Sequence, residues 1–280
     1  MELGIFILPT RETLDVVAIA KKVEALGFES LWVPDHPVIP KEITSKPPGG
    51  GELADYYRRL MEPFMALAAA AGATERIGLG TGVLVVPERN PLLLAKQVAT
   101  LDLLSRGRVH LGIGCGWIKE EMEVMGADFA NRWAQTREHV QAMQALWAPG
   151  TTAFSGTYTN FPEVYCEPKP VQQPHPPILL ANAGEAAYKR IAEYCDGWVV
   201  HGGMHDLGKI ESGRRRIEEL FRESGRDFSR FNATLFGAKP DREVLRAFAD
   251  AGIDRTLMIV KYGSQEETEQ TLESWAGTLL

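Results

Sequence analysis

No stretch of this sequence approaches the roughly 18 uninterrupted apolar residues of a membrane span, so no spanning helix is expected. Cysteine is scarce. Cys115, Cys166 and Cys195 lie far apart and no pair has metal-ligand spacing, which argues against a disulfide framework and makes a reducing cytoplasm the expected setting. Positive charge is not in excess either: 30 Lys and Arg against 37 Asp and Glu leave a formal charge of −7, without a basic stripe. Neither nucleic acid nor an anionic membrane is therefore an expected partner. The N-terminal MELGIFILPT has no basic lead-in and no small-residue cleavage site, and reads as a buried first strand rather than a signal peptide. No His/Asp/Glu cluster has metal spacing, and no nucleophilic serine motif is visible.

What the chain does contain is two kinds of segment in regular alternation. Short apolar runs rich in Val, Ile and Leu occupy 3–8, 30–33, 77–86, 109–113, 177–181, 197–200, 232–236 and 256–260. Few show polar alternation, as befits strands buried on both faces. Between them, helical periodicity covers 13–26, 63–73, 91–104, 133–147, 184–194, 206–223, 241–251 and 265–279. Gly27 is a C-terminal stop, and Pro63 and Pro91 suit first turns, where a missing N–H is harmless. Eight strands alternating with eight helices in 280 residues predict a single (β/α)8 TIM barrel domain over 1–280. Two insertions interrupt the rhythm. Residues 35–62, with Pro47-Pro48-Gly49-Gly50-Gly51, follow a strand and so open on the face where barrel active sites lie: a lid, or a disordered excursion. Residues 148–176 precede a strand and belong to the opposite face; the run Phe154 to Tyr158 reads as a hairpin turn with a structural or subunit-contact role.

The candidate chemistry sits at strand ends. The second strand ends in Asp35-His36, a proton-exchanging imidazole beside a carboxylate able to fix its tautomer, unless His36 is an ordinary surface residue. The third contains Gly78, Gly80 and Gly82, which signal a bulge or a ligand's close approach, or else tight packing in a narrow barrel. The fourth ends in Gly114-Cys115-Gly116-Trp117, a weak glycine-rich anion loop. Trp117 and Trp32 are placed either to stack on a flat ring or to fill the core. The fifth runs into Asn182-Ala183-Gly184, read as a phosphate-binding turn or as an N-cap by Asn182. His201 follows the sixth strand on the same face, His205 begins a helix, and His110 reads as a satisfied core residue. His139 and His175 fall outside the candidate site.

Taken together, the runs Arg76 to Val83, Pro91 to Ser105 (PLLLAKQVATLDLLS), Gly107 to Gly114 and Pro176 to Gly184, with Asp196-Gly197-Trp198 after them, resemble the bacterial-luciferase-like monooxygenase superfamily. Within it the chain is most similar to oxidoreductases that use the deazaflavin coenzyme F420. The resemblance implies that Asp35 and His36 face the cofactor ring, His36 as proton donor or acceptor. It implies that Thr81, Gly82 and Val83 form a bulge with a cis Gly82–Val83 peptide behind the ring. Gly114, Cys115 and Gly116 are implied beside the ring, and Asn182, Ala183 and Gly184 at the phosphate. The implied reaction is hydride transfer between F420 and a small organic substrate. The alternative is a monooxygenase using reduced FMN from a separate reductase. A homodimer is expected. The chain departs from the pattern in three places. Trp117 stands where some deazaflavin dehydrogenases have a catalytic Glu, and the fifth-strand turn is poorer in glycine than usual. No lid follows the seventh strand, so 35–62 is the expected cover.

Overall fold

A computed structural model describes residues 1–47, 49–200 and 206–280. The first half of the chain supplies β1 (Glu2–Phe6), α1 (Val16–Leu26), β2 (Ser30–Val33), α2 (Pro63–Ala73), β3 (Gly78–Thr81), β4 (Leu84–Val85), α3 (Pro91–Ser105), β5 (Val109–Gly114), α4 (Lys119–Val124) and α5 (Arg132–Trp147). The second supplies the hairpin β6 (Thr151–Ser155) and β7 (Asn160–Tyr165), then β8 (Ile178–Ala181), α6 (Glu185–Tyr194), β9 (Gly197–Val200), α7 (Leu207–Glu223), β10 (Asn232–Phe236), α8 (Arg242–Asp250), β11 (Arg255–Ile259) and α9 (Gln265–Leu279). All strands outside the hairpin pair in parallel, in the order β3-β2-β1-β11-β10-β9-β8-β5-β4, and a β3–β5 pairing closes the ring. With β3 and β4 as two parts of one stave, this is the expected eight-stranded barrel. His201 and His205 lie outside the described residues, as does Pro48 of the first insertion.

Local chemistry sets the element ends. Asp15 accepts from the backbone N–H groups of Val17 and Ala18 and caps α1, which Gly27 closes at φ 93°. Glu62 and Asn90 cap α2 and α3 just ahead of Pro63 and Pro91. The 148–176 segment folds into the β6–β7 hairpin, and the Glu138 carboxylate of α5 accepts the N–H groups of Thr157, Tyr158 and Thr159 in its turn.

Trp32 decides how the barrel interior is filled. It is fully buried, donates Nε1–H to Ser30 Oγ at 2.7 Å, and packs among Phe6, Leu179, Val199 and Leu257. A β-carbon at Gly80 would overlap its ring, and one at Gly4 or Gly112 would crowd it at 3.3 Å. Of the two readings of the third-strand glycines, packing therefore holds at Gly80, and at Gly78, where a β-carbon would meet His110 at 2.8 Å. Gly80→Ala is expected to destabilise the protein by about 3 kcal/mol, the upper end of the overpacking range, measured as a lower urea midpoint at unchanged slope.

The expected strand 77–86 is one stave in two pieces. Thr81 donates its hydroxyl to the Gly112 carbonyl at 2.7 Å, and Gly82 N–H donates to the Val33 carbonyl at 2.8 Å. The Gly82–Val83 peptide is cis, and pairing resumes with Leu84 opposite Ile113. Strand pairing is thus interrupted at Gly82 and Val83, between β2 and β5.

Candidate active site

The mouth is built from the ends of β2, β3/β4, β5 and β8, with cover from 35–62 and α4. Asp35 and His36 are neighbours just past the end of β2. They diverge. The Asp35 side chain is wholly buried, accepting from Arg89 Nη2 at 2.6 Å, Arg89 Nε at 3.1 Å and the Val85 N–H at 3.0 Å. It anchors the backbone just past the Gly82–Val83 step and ties it to Arg89, which also holds Glu62 at 2.9 Å. The expectation that Asp35 orients the imidazole is corrected here. His36 Nδ1 lies 2.7 Å from Glu121 Oε2, and Glu121 is only 1% exposed. Glu121 comes from α4, a six-residue polar helix that sequence periodicity misses.

An aromatic wall stands over His36. The Tyr57 ring lies edge-on 5.1 Å away and the Trp117 ring 6.0 Å away, while Tyr56 stacks on both Tyr57 and Tyr262. Burial pushes the Tyr57 phenol up to about 12, so it stays protonated at neutral pH. Of the two tryptophans, Trp117 belongs to the mouth and Trp32 to the core. Tyr57 rides on a 3₁₀ turn, Asp55–Arg59, within the long first insertion. That insertion is fastened: Glu120 of α4 accepts from the Thr44 N–H at 2.7 Å and hydroxyl at 2.6 Å, and from the Ser45 hydroxyl at 2.7 Å. Those donors hold the Glu120 carboxyl down at about 2. The same helix therefore positions the His36 partner on one side and secures the cover on the other.

Across the mouth, Gly114 and Gly116 leave room where side chains would collide. A β-carbon at Gly114 would meet Val83 at 3.0 Å, and Gly116 adopts φ 83° against Met122 and Val85. Cys115 is buried, and burial pushes its thiol up, against a nucleophilic role. Arg132, at the start of α5, lies against Cys115, and its Nε is buried without an acceptor among the described residues. On the adjoining stave Asn182 accepts the Ala183 N–H on its own side chain and does not cap α6. The N-cap is Gly184 at φ 92°, with no side-chain acceptor and no described residue within 4 Å of where a β-carbon would stand. Its Glu185 carboxylate is turned to Arg216, so the first turn of α6 keeps free N–H donors.

The residues that sequence reasoning missed are Glu121, Arg89, Tyr57 and Arg132. His110 sits below the site at the strand starts, stacked on Trp32, with burial pushing it down to about 4.

A parallel barrel with a buried His–Glu pair at the C-terminal end of its strands is an enzyme architecture. The chain belongs to the luciferase-like monooxygenase family, whose model matches residues 1–277. It is 32% identical over 283 residues to the uncharacterized protein Rv0953c of Mycobacterium tuberculosis, covering 100% of this chain and 99% of that one. It is 30% identical over 193 residues to the F420-dependent glucose-6-phosphate dehydrogenase of Amycolatopsis mediterranei, over 68% of this chain and 54% of that protein. Among solved structures, the monooxygenase RslO1 from Streptomyces bottropensis superposes with a TM-score of 0.80 at 22% identity, covering 100% of this chain and 98% of the other. The family thus includes both F420-dependent and monooxygenase relatives, and this chain is an oxidoreductase of that superfamily. Among the described residues, no helix is long and apolar enough to cross a membrane.

Proposed function

We propose that this protein transfers a hydride between coenzyme F420 and a small organic substrate, with His36 exchanging the accompanying proton. The observation that carries the reading is the His36–Glu121 pair. A carboxylate on Nδ1 fixes the imidazole and leaves Nε2 as the nitrogen for proton exchange at the mouth. F420, when bound, supplies the hydride chemistry; the protein's part is orientation, exclusion of water and the proton.

The residues present fit a flat ring with an anionic tail. Thr81, Gly82, Val83 and Gly114 to Gly116, at the break between β3 and β4 and at the end of β5, would meet the ring. Arg132 has an unsatisfied buried Nε, and Asn182 to Gly184 lead into an uncapped helix start, both suited to phosphate. Similarity to an F420-dependent relative over 68% of this chain is in keeping with F420 as the cofactor. Tyr57, Trp117 and the fastened 35–62 insertion would cover a substrate held against the ring.

The test is a binding comparison of purified protein with F420 and with FMN, read by fluorescence and thermal shift. F420 is expected to bind at least tenfold more tightly and to raise the melting temperature in proportion to its excess over Kd. Preferential FMN binding, or oxygen uptake with reduced FMN coupled to substrate turnover, overturns the reading in favour of a reduced-flavin monooxygenase.

A further inference from the structure

The N-terminal end of the barrel, opposite His36, holds a cavity of about 270 Å³ that the proposed chemistry leaves unused. Side chains from the starts of β5, β8, β10 and β11 line it, and the 148–176 insertion contributes Gln172. Two of them pack on the indole that fills the barrel: the His110 ring stacks on Trp32 at 5.7 Å, and the Arg255 guanidinium carbon lies 5.8 Å from its ring centroid. Two amides in the lining have fixed orientations. Asn232 Oδ1 accepts from Arg255 Nη1 at 3.3 Å and from the Thr234 hydroxyl at 2.6 Å. A guanidinium only donates, so the oxygen must be the atom on that side, and Nδ2 is left over as a donor. Gln172 is fixed in the other sense. Its Nε2 donates to Asp102 Oδ1 at 2.7 Å and to the Val109 carbonyl at 2.9 Å, which uses both hydrogens and leaves Oε1 as an acceptor. Neither Asn232 Nδ2 nor Gln172 Oε1 has a hydrogen-bond partner among the described residues.

The charges around the cavity leave one cation unmatched. Arg255 is held by Glu29 through two bonds, at 2.7 and 2.8 Å. It also holds Glu2 at 2.7 Å, whose side chain is half exposed, so that solvent screens the extra charge. Asp196 is paired with Arg226 at 3.2 Å and accepts the Ile178 N–H at 3.0 Å. His110, with its value pushed down to about 4 by burial, is neutral at pH 7. Arg230 differs from the other arginines. Its Nη1 donates to the Gln173 carbonyl at 2.7 Å, and among the described residues no carboxylate lies within ion-pair distance of it.

We propose that this cavity binds a small monocarboxylate bearing a hydroxyl group, its carboxylate against Arg230 and Asn232 Nδ2 and its hydroxyl donating to Gln172 Oε1. One negative charge matches the one unmatched cation, and a carboxylate has the two oxygens that a guanidinium and an amide N–H can share. The hydroxyl supplies the donor that the free Gln172 oxygen lacks. The volume lies just below the roughly 300–1,000 Å³ of sites for drug-sized molecules, which suits a ligand of few heavy atoms. Such a ligand joins the 148–176 insertion, through Gln172, to the start of β10, through Asn232, and its binding stabilises the fold by mass action. The site lies at the other end of the barrel from His36 and does not depend on the hydride-transfer reading.

The experiment titrates the full chain, without cofactor, with L-lactate, with propionate, which lacks the hydroxyl, and with inorganic phosphate. Thermal shift and the side-chain amide signals in 15N–1H spectra read the binding, and Asn232→Asp identifies the Asn232 signals by their loss. L-Lactate is expected to raise the melting temperature and to shift the Asn232 amide signals saturably. Propionate should bind about fivefold more weakly, the share of one neutral hydrogen bond. Arg230→Gln changes an exposed side chain, and Asn232→Asp keeps the acceptor that Arg255 and Thr234 use, so both variants should fold. Each should weaken L-lactate binding by about tenfold or more, the share of a hydrogen bond to a charged group. No saturable response to L-lactate, or a response to phosphate alone, overturns the carboxylate assignment. Propionate binding as tightly as L-lactate overturns the role of the hydroxyl and of Gln172. An L-lactate affinity unchanged in both variants puts the ligand elsewhere and overturns the site.

Discussion

Arg89→Met is expected to cost about 3–5 kcal/mol of folding stability, the range for breaking one side of a buried ion pair. Met keeps much of the apolar stem that packs against Phe64, where the guanidinium carbon lies 5.5 Å from the ring centroid, so lost volume is not the main effect. What is lost is the guanidinium between Asp35, whose side chain is 0% exposed, and Glu62, whose side chain is 37% exposed. Asp35 would keep only the Val85 N–H for its buried charge. The stored defect is thus Asp35's charge rather than Arg89's absence. Asp35→Asn combined with Arg89→Met should therefore recover a large part of the loss, a coupling of at least about 2 kcal/mol in a double-mutant cycle. Urea unfolding of the four proteins measures it. Additive single-mutant effects would show that Asp35 and Arg89 do not act as a unit.

The barrel was legible because its strands are buried on both faces. Runs such as those ending at Val33, Ala181 and Val200 are short, apolar and spaced by helical periodicity, and little except a parallel barrel accommodates eight of them. The site was legible only where the chemistry is local. Asp35-His36 and the glycines around Val83 and Cys115 announce themselves at strand ends. The partner of His36 does not, because Glu121 is 85 residues away on a helix whose sequence, KEEMEV, carries no apolar stripe. Adjacency in the chain suggested Asp35 as that partner, but its carboxylate is taken up by Arg89 and the Val85 N–H. The third-strand glycines show the same limit. Gly80 is needed for the ring of Trp32, a packing fact invisible without knowing that Trp32 turns inward. Arg132 was missed for a similar reason: only the fold brings it, 17 residues on in the chain, to Cys115.

If Glu121 rather than Asp35 governs His36, the two carboxylates should separate in kinetics. His36→Ala is expected to lower kcat for hydride transfer by about 10²–10⁴-fold, the usual range for removing a general acid–base, with a small change in KM. The assay follows the absorbance of F420 with the substrate that wild type turns over. Glu121→Gln should approach the same loss. A Gln side chain can donate its amide N–H to Nδ1, which places the imidazole proton on Nε2 and leaves the mouth facing a donor where a base is required. The replacement is nearly isosteric, and α4 with its Glu120 tether to Thr44 and Ser45 stays in place, so stability should change far less than turnover. Asp35→Asn should behave in the opposite way. It disturbs the anchor to Arg89 and Val85 and lowers stability, while the residual folded protein keeps most of its kcat because the His36–Glu121 contact is untouched. A kcat loss in Asp35→Asn as large as in Glu121→Gln would return the orienting role to Asp35. Undiminished turnover in His36→Ala would remove the imidazole from the chemistry altogether.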